Sequence, residues 1–83
     1  MSGYQTWLLE WFQYHAPQVP LGPDDNFFLL GAIDSLGVIE LIEDLEQDFS
    51  IRFSQEDFQD RRFTSIKGLA ELLKEKENSE TTL

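Results

Sequence analysis

Apolar residues recur along the chain at helical spacing. Tyr4, Trp7, Leu8, Trp11 and Phe12 are three or four positions apart and line one face of a first helix. Pro17 disfavours helical geometry at Ala16, so that helix ends near His15. Residues 16–26, rich in Pro, Gly and Asp, read as a long loop. Phe27, Phe28, Leu29 and Leu30 then form a short apolar anchor that Gly31 ends. The second helix starts near Ser35, capped by Asp34 or by Ser35 itself, and runs to about Asp48. At 100° per residue, Val38, Leu41, Ile42, Leu45 and Phe49 share one sector. Leu36, Glu40, Glu43 and Gln47 lie opposite, with Ile39, Asp44 and Glu46 on the flanks. One face packs, and the other is an acidic strip with Leu36 and Ile39 left showing.

Farther on, Ile51 and Phe53 alternate with Arg52 for too few residues to make a strand. Ser54 followed by Glu56 and Asp57 marks a one-turn helix that is expected to bury Phe58. Thr64 or Ser65 caps a last helix whose apolar face is Ile66, Leu69, Ala70, Leu72 and Leu73. A polar, frayed tail is expected over 77–83, leaving one domain over 1–76. The pattern predicts an all-α chain of three long helices and one short one, with a long loop after the first helix and no internal repeat.

Length supports a single core, since a chain of 83 residues buries only roughly 60% of its unfolded surface. An enclosed catalytic pocket has little room there. Sixteen acidic residues against six basic ones give a formal charge of −10. Such a polyanion repels nucleic-acid backbones and anionic lipid, so nucleic acid is excluded as a partner and proteins with basic patches are expected. The longest unbroken apolar stretch, Phe27 to Leu30, is too short for membrane insertion, and Met1-Ser2-Gly3-Tyr4 does not open an export signal. The lack of cysteine excludes disulfides and fits a cytoplasmic location, and a monomer is expected.

The chemistry concentrates in Gly31-Ala32-Ile33-Asp34-Ser35-Leu36-Gly37. A serine just before an amphipathic helix stands where another protein's active site can reach its oxygen. The amides and positive dipole end beside it suit a phosphodiester. Taken alone, a serine there is most simply a cap. A catalytic role fails: Ile33 stands where the Gly-x-Ser-x-Gly elbow needs glycine, and the lone His15 sits on another helix. A calcium loop from Asp24 fails as well, since Phe28, Leu29 and Ser35 occupy its fifth, sixth and twelfth positions. No catalytic residue and no metal site is expected.

The longer segment from Phe28 to Leu41 resembles the attachment segment of acyl and peptidyl carrier proteins, and the likeness continues through Leu45-Glu46 and Phe49-Ser50-Ile51 to Thr64-Ser65-Ile66. It implies a four-helix carrier bundle in which Ser35 receives 4′-phosphopantetheine from coenzyme A. It also implies that Asp34 and Leu36 are read by the modifying phosphopantetheinyl transferase, and that Leu36, Ile39, Glu40, Glu43 and Glu46 face partner enzymes. Ile33 before the acid, Gly37 after the leucine and a slightly long 56–64 segment look like discrete carriers of the D-alanyl or aminoacyl type. In that branch an adenylate-forming ligase loads the arm with an acyl or aminoacyl group, and acyltransferases or condensing enzymes take it onward. Glu43 departs from fatty-acid carriers, which commonly show an apolar residue there. Such a chain makes no bond itself: the tether raises the local concentration of a thioester at each enzyme that docks. The rival from another class is an acidic helical adaptor with the same fold that acts only by protein–protein binding.

Overall fold

A computed structural model describes residues 3–81, the last four by backbone alone. Four helices follow in order: α1 (Gly3–His15), α2 (Ser35–Phe49), α3 (Gln55–Gln59) and α4 (Ile66–Thr81). Among the described residues no strand occurs. The architecture is the expected all-α bundle of three long helices and one short one.

Packing follows the periodic faces. Leu8, Trp11 and Phe12 of α1, Leu41 and Leu45 of α2, and Ile66, Leu69, Ala70, Leu72 and Leu73 of α4 are buried together. Each large side chain among them contributes about 1.5–3 kcal/mol by leaving water. α1 packs directly on α4. The seam between α1 and α2 is aromatic and polar as well as apolar. Phe49 takes Tyr4 and Trp7 edge-on, with ring centres 4.9 and 5.6 Å away. The indole N–H groups of Trp7 and Trp11 donate to Asp48 and Asp44, each at 2.8 Å. Positions 7, 11 and 15 thus face 48, 44 and 40 in antiparallel order, the last rung being His15 Nδ1 at 3.8 Å from Glu40.

Three expectations need correction or refinement. Of the apolar run 27–30, only Phe27 is an anchor; Phe28, Leu29 and Leu30 are 42, 85 and 47% exposed. Asn26 Oδ1 accepts the N–H groups of Phe28 and Leu29 at 2.9 and 3.0 Å, which curls the run into a turn. Gly31, at φ 75°, closes the turn in a conformation that costs a side-chain-bearing residue dearly. The Ala32 N–H then donates to the Phe27 carbonyl, and burial passes to Ala32 and Ile33. Phe58 is also not buried as expected: it is 47% exposed, because α3 is too short to turn a whole face inward. Its ring instead lies parallel to Phe53 and edge-on to Phe63 at the bundle surface. Finally, α4 remains helical to Thr81, across most of the segment read as a tail, and the Tyr4 hydroxyl donates to the Glu77 carboxylate. Residues 82 and 83 of that tail lie outside the described residues.

The long loop is tied to the start of α4. The Phe27 N–H donates to the Thr64 carbonyl and the Lys67 N–H to the Pro23 carbonyl, each at 2.9 Å. These bonds bring the residues before Ser35 beside the α3–α4 connection.

Candidate functional site

The first turn of α2 forms the site. Asp34, in extended geometry, is the N-cap: its Oδ1 accepts the Gly37 N–H at 2.8 Å. This resolves the choice between Asp34 and Ser35, and it has a chemical consequence. Ser35 becomes the first helical residue, exposed, with a hydroxyl that makes no hydrogen bond to the described residues. Had it been the cap, its oxygen would have been committed to a backbone amide.

Around this oxygen the helix presents apolar and acidic groups together. Leu36 and Ile39 are 72 and 55% exposed, large values for side chains that gain from burial. Glu40 and Glu43 are exposed beside them. Glu46 differs: it is half-buried, and one carboxylate oxygen accepts the Phe53 N–H at 2.9 Å, tying α2 to the segment before α3. Leu29 and Leu30 extend the exposed apolar surface in the preceding loop. Their exposure is not legible in the sequence, because a four-residue apolar run has no period to reveal which side faces water.

Two grooves flank Ser35. One, of about 580 Å³, opens toward α1 and is bordered by Trp11, His15, Asp34, Leu36 and Glu40. The imidazole of His15 lies flat on the Trp11 ring, 4.0 Å between centres, at the end of α1. The other groove, of about 560 Å³, includes Ser35 in its wall and runs toward α3 over Phe28, Val38, Phe58 and Phe63. Its volume falls in the range of small-molecule sites. Neither groove was foreseen, since both depend on how α2 sits against loops distant in sequence.

Charged clamps hold the far wall of the second groove. Arg62 donates to both Asp60 oxygens at 2.8 and 3.1 Å and to Glu75 at 2.5 Å. Hydrogen bonding to Arg62 lowers Asp60 to about 2 and holds Glu75 below its ordinary value, while both carboxylates raise the guanidinium. At the start of α3, Asp57 accepts the Ser54 N–H at 2.7 Å and Lys76 Nζ at 2.6 Å. Partial burial pushes the Asp57 carboxyl up, but the Lys76 and Ser54 bonds outweigh it and leave the group lowered. At the start of α4, Ser65 rather than Thr64 is the cap, its hydroxyl accepting the Gly68 N–H at 3.0 Å.

A free serine oxygen leading an amphipathic helix in a small four-helix bundle can present a covalently attached group to other proteins. Comparison with known families agrees. The family model for the phosphopantetheine attachment site matches residues 13–73, and the chain belongs to that family. Searches of curated proteins and of solved structures returned no match. The chain is therefore a carrier protein of a generally non-catalytic class. Its covalent cofactor is 4′-phosphopantetheine, and it works with a phosphopantetheinyl transferase and partner enzymes. The site has room for that group: an exposed oxygen, an adjoining apolar groove, and the Ser35 and Leu36 amides, which the Asp34 cap leaves open. No described helix is long and apolar enough to cross a membrane.

Proposed function

We propose that Ser35 is the attachment residue, and that the chain carries an acyl or aminoacyl group on the arm from an adenylate-forming ligase to acyltransferases or condensing enzymes. The exposed, uncommitted hydroxyl at the first residue of α2 carries this reading. In the modification, Ser35 Oγ forms a bond to the phosphorus nearer the pantetheine. The pyrophosphate P–O bond of coenzyme A breaks, adenosine 3′,5′-bisphosphate leaves, and the hydroxyl proton passes to a base of the transferase. The attached arm supplies a terminal thiol that holds the carried acid as a thioester.

The chain's own residues do the rest by position. Asp34 holds the helix start in shape and, with Leu36, is read by the transferase. Leu36 and Ile39 supply small apolar anchors, while Glu40 and Glu43 steer basic partners. Glu46 closes this strip with the carboxylate oxygen that Phe53 leaves open. A patch of this kind releases quickly, as a shuttle requires, because exposed charges act more on encounter rate than on lifetime. The aminoacyl branch is supported by Ile33, Gly37 and the surface charge at Glu43.

Intact mass after incubation with coenzyme A and a broad-specificity phosphopantetheinyl transferase tests the assignment. The wild type should gain one phosphopantetheinyl group, and Ser35→Ala should gain nothing. A gain that persists in Ser35→Ala moves the attachment elsewhere; no gain in the wild type refutes the carrier reading.

A further inference from the structure

Attaching a phosphodiester to Ser35 sets an electrostatic problem. The new negative charge sits next to Asp34 on a chain that already carries −10. The positive end of α2 is no full answer, since the Asp34 carboxylate is already there on the Gly37 amide. A nearby cation would offset part of this repulsion, and the chain has only six Lys and Arg. Arg62 is held between Asp60 and Glu75, Lys76 is held by Asp57, and Lys67 stands 4.0 Å from Asp24. Arg52 and Lys74 do not border the groove that contains Ser35.

Arg61 does border it. It is exposed and has no ion pair among the described residues, although its neighbour Arg62 has two. Its backbone is nevertheless held. The Thr64 hydroxyl donates to the Arg61 carbonyl at 2.7 Å, and Arg62 is fastened to Asp60 on the other side. Arg61 therefore borders, from a held backbone, a groove also lined by Phe58, Phe63, Phe28 and Val38.

Resting on the assignment of Ser35, we propose that Arg61 is a positioning residue that pairs with the phosphodiester on Ser35 and lays the arm along this groove while no partner enzyme is docked. The apolar floor accepts the pantetheine chain and its cargo, and Arg61 sets the direction in which the arm leaves Ser35. The pair lies in water, so the bias is modest and reversible, and salt weakens it.

The test compares amide spectra of the ¹⁵N-labelled apo protein with those of the full chain carrying its arm, mass spectrometry having shown the arm in place. Attachment should shift amides across the groove at Phe58, Phe63 and Thr64, besides those around Ser35. In Arg61→Gln these groove shifts should fall about two- to threefold, the loss expected for one exposed ion pair. Arg61→Lys should retain them, and high salt should reduce them in the wild type. Shifts confined to residues 34–37, or groove shifts equal in wild type and Arg61→Gln, overturn the proposal while leaving the attachment assignment standing. Failure of the wild type to gain the arm refutes both.

Discussion

Small differences between single residues decide whether this site works. Under the proposed attachment, Ser35 is available because Asp34 takes the capping role, leaving the serine oxygen unbonded. Arg61 and Arg62 have the same chemistry and adjacent positions, yet one is held by two carboxylates and the other is exposed. Gly68 matters through close approach: a Cβ there would stand 2.6 Å from the Arg62 carbonyl oxygen and 2.9 Å from its Cα. Helix propensity alone favours Ala over Gly by about 1 kcal/mol. The clash is with backbone and cannot be relieved by a rotamer change, so Gly68→Ala should lower stability by roughly 1–3 kcal/mol. Urea unfolding checks this, and an unchanged or higher midpoint would show that the 60–62 loop yields easily.

Between elements, the α1–α2 seam and the α3–α4 clamps hold the groove walls in place. Trp11→Phe keeps the ring in the core but removes the donor to Asp44. The expected cost is roughly 1.5–3 kcal/mol, as for a hydrogen bond to a charged group. In a domain this small that is a fall in melting temperature of about 4–8 °C per kcal/mol. Trp7→Phe should cost less, since Trp7 is only partly buried.

The clamps predict a defined acid response. Asp60 titrates at about 2 in the folded protein against an ordinary 3.8, so between these values the folded state binds fewer protons than the unfolded state. The stabilisation is complete above about pH 4 and disappears as pH falls through about 2. Asp57 and Glu75, also lowered, act with the same sign. Protonation of other carboxylates relieves repulsion across a chain of −10, so the informative quantity is a difference. The stability gap between wild type and Asp60→Asn should be widest above pH 4 and close toward pH 2. A gap that does not vary with pH would remove the ionic account of this clamp.

At the scale of the whole molecule, charge and shape govern encounter. The described chain measures 41 by 27 by 22 Å. Charge reversal at Glu40 and Glu43 together should slow arm transfer by a basic transferase about tenfold at low ionic strength, with the difference shrinking as salt is added. The readout is kcat/KM for the arm-transfer reaction. Equal rates for both proteins at low salt would place the steering charges elsewhere.

Helix existence, the α2 apolar and acidic faces, and the serine at a helix start were legible because each rests on contacts within one or two turns. Periodicity located Leu41 and Leu45 in the core and Glu40 and Glu43 on the surface. It failed at Leu29, Leu30 and Phe58, which lie in a turn and in a helix of five residues where no period operates. It could not reveal the Trp7–Asp48 and Trp11–Asp44 rungs, which require two helices to be placed side by side in register.

Local interactions thus let the amino-acid order alone determine which segments coil, which faces are apolar, and that an oxygen at position 35 leads the second helix. Only the tertiary structure decided which arginine remains free, and that an apolar groove opens beside Ser35. Those outcomes depend on groups far apart along the chain, brought together by burial of a shared core.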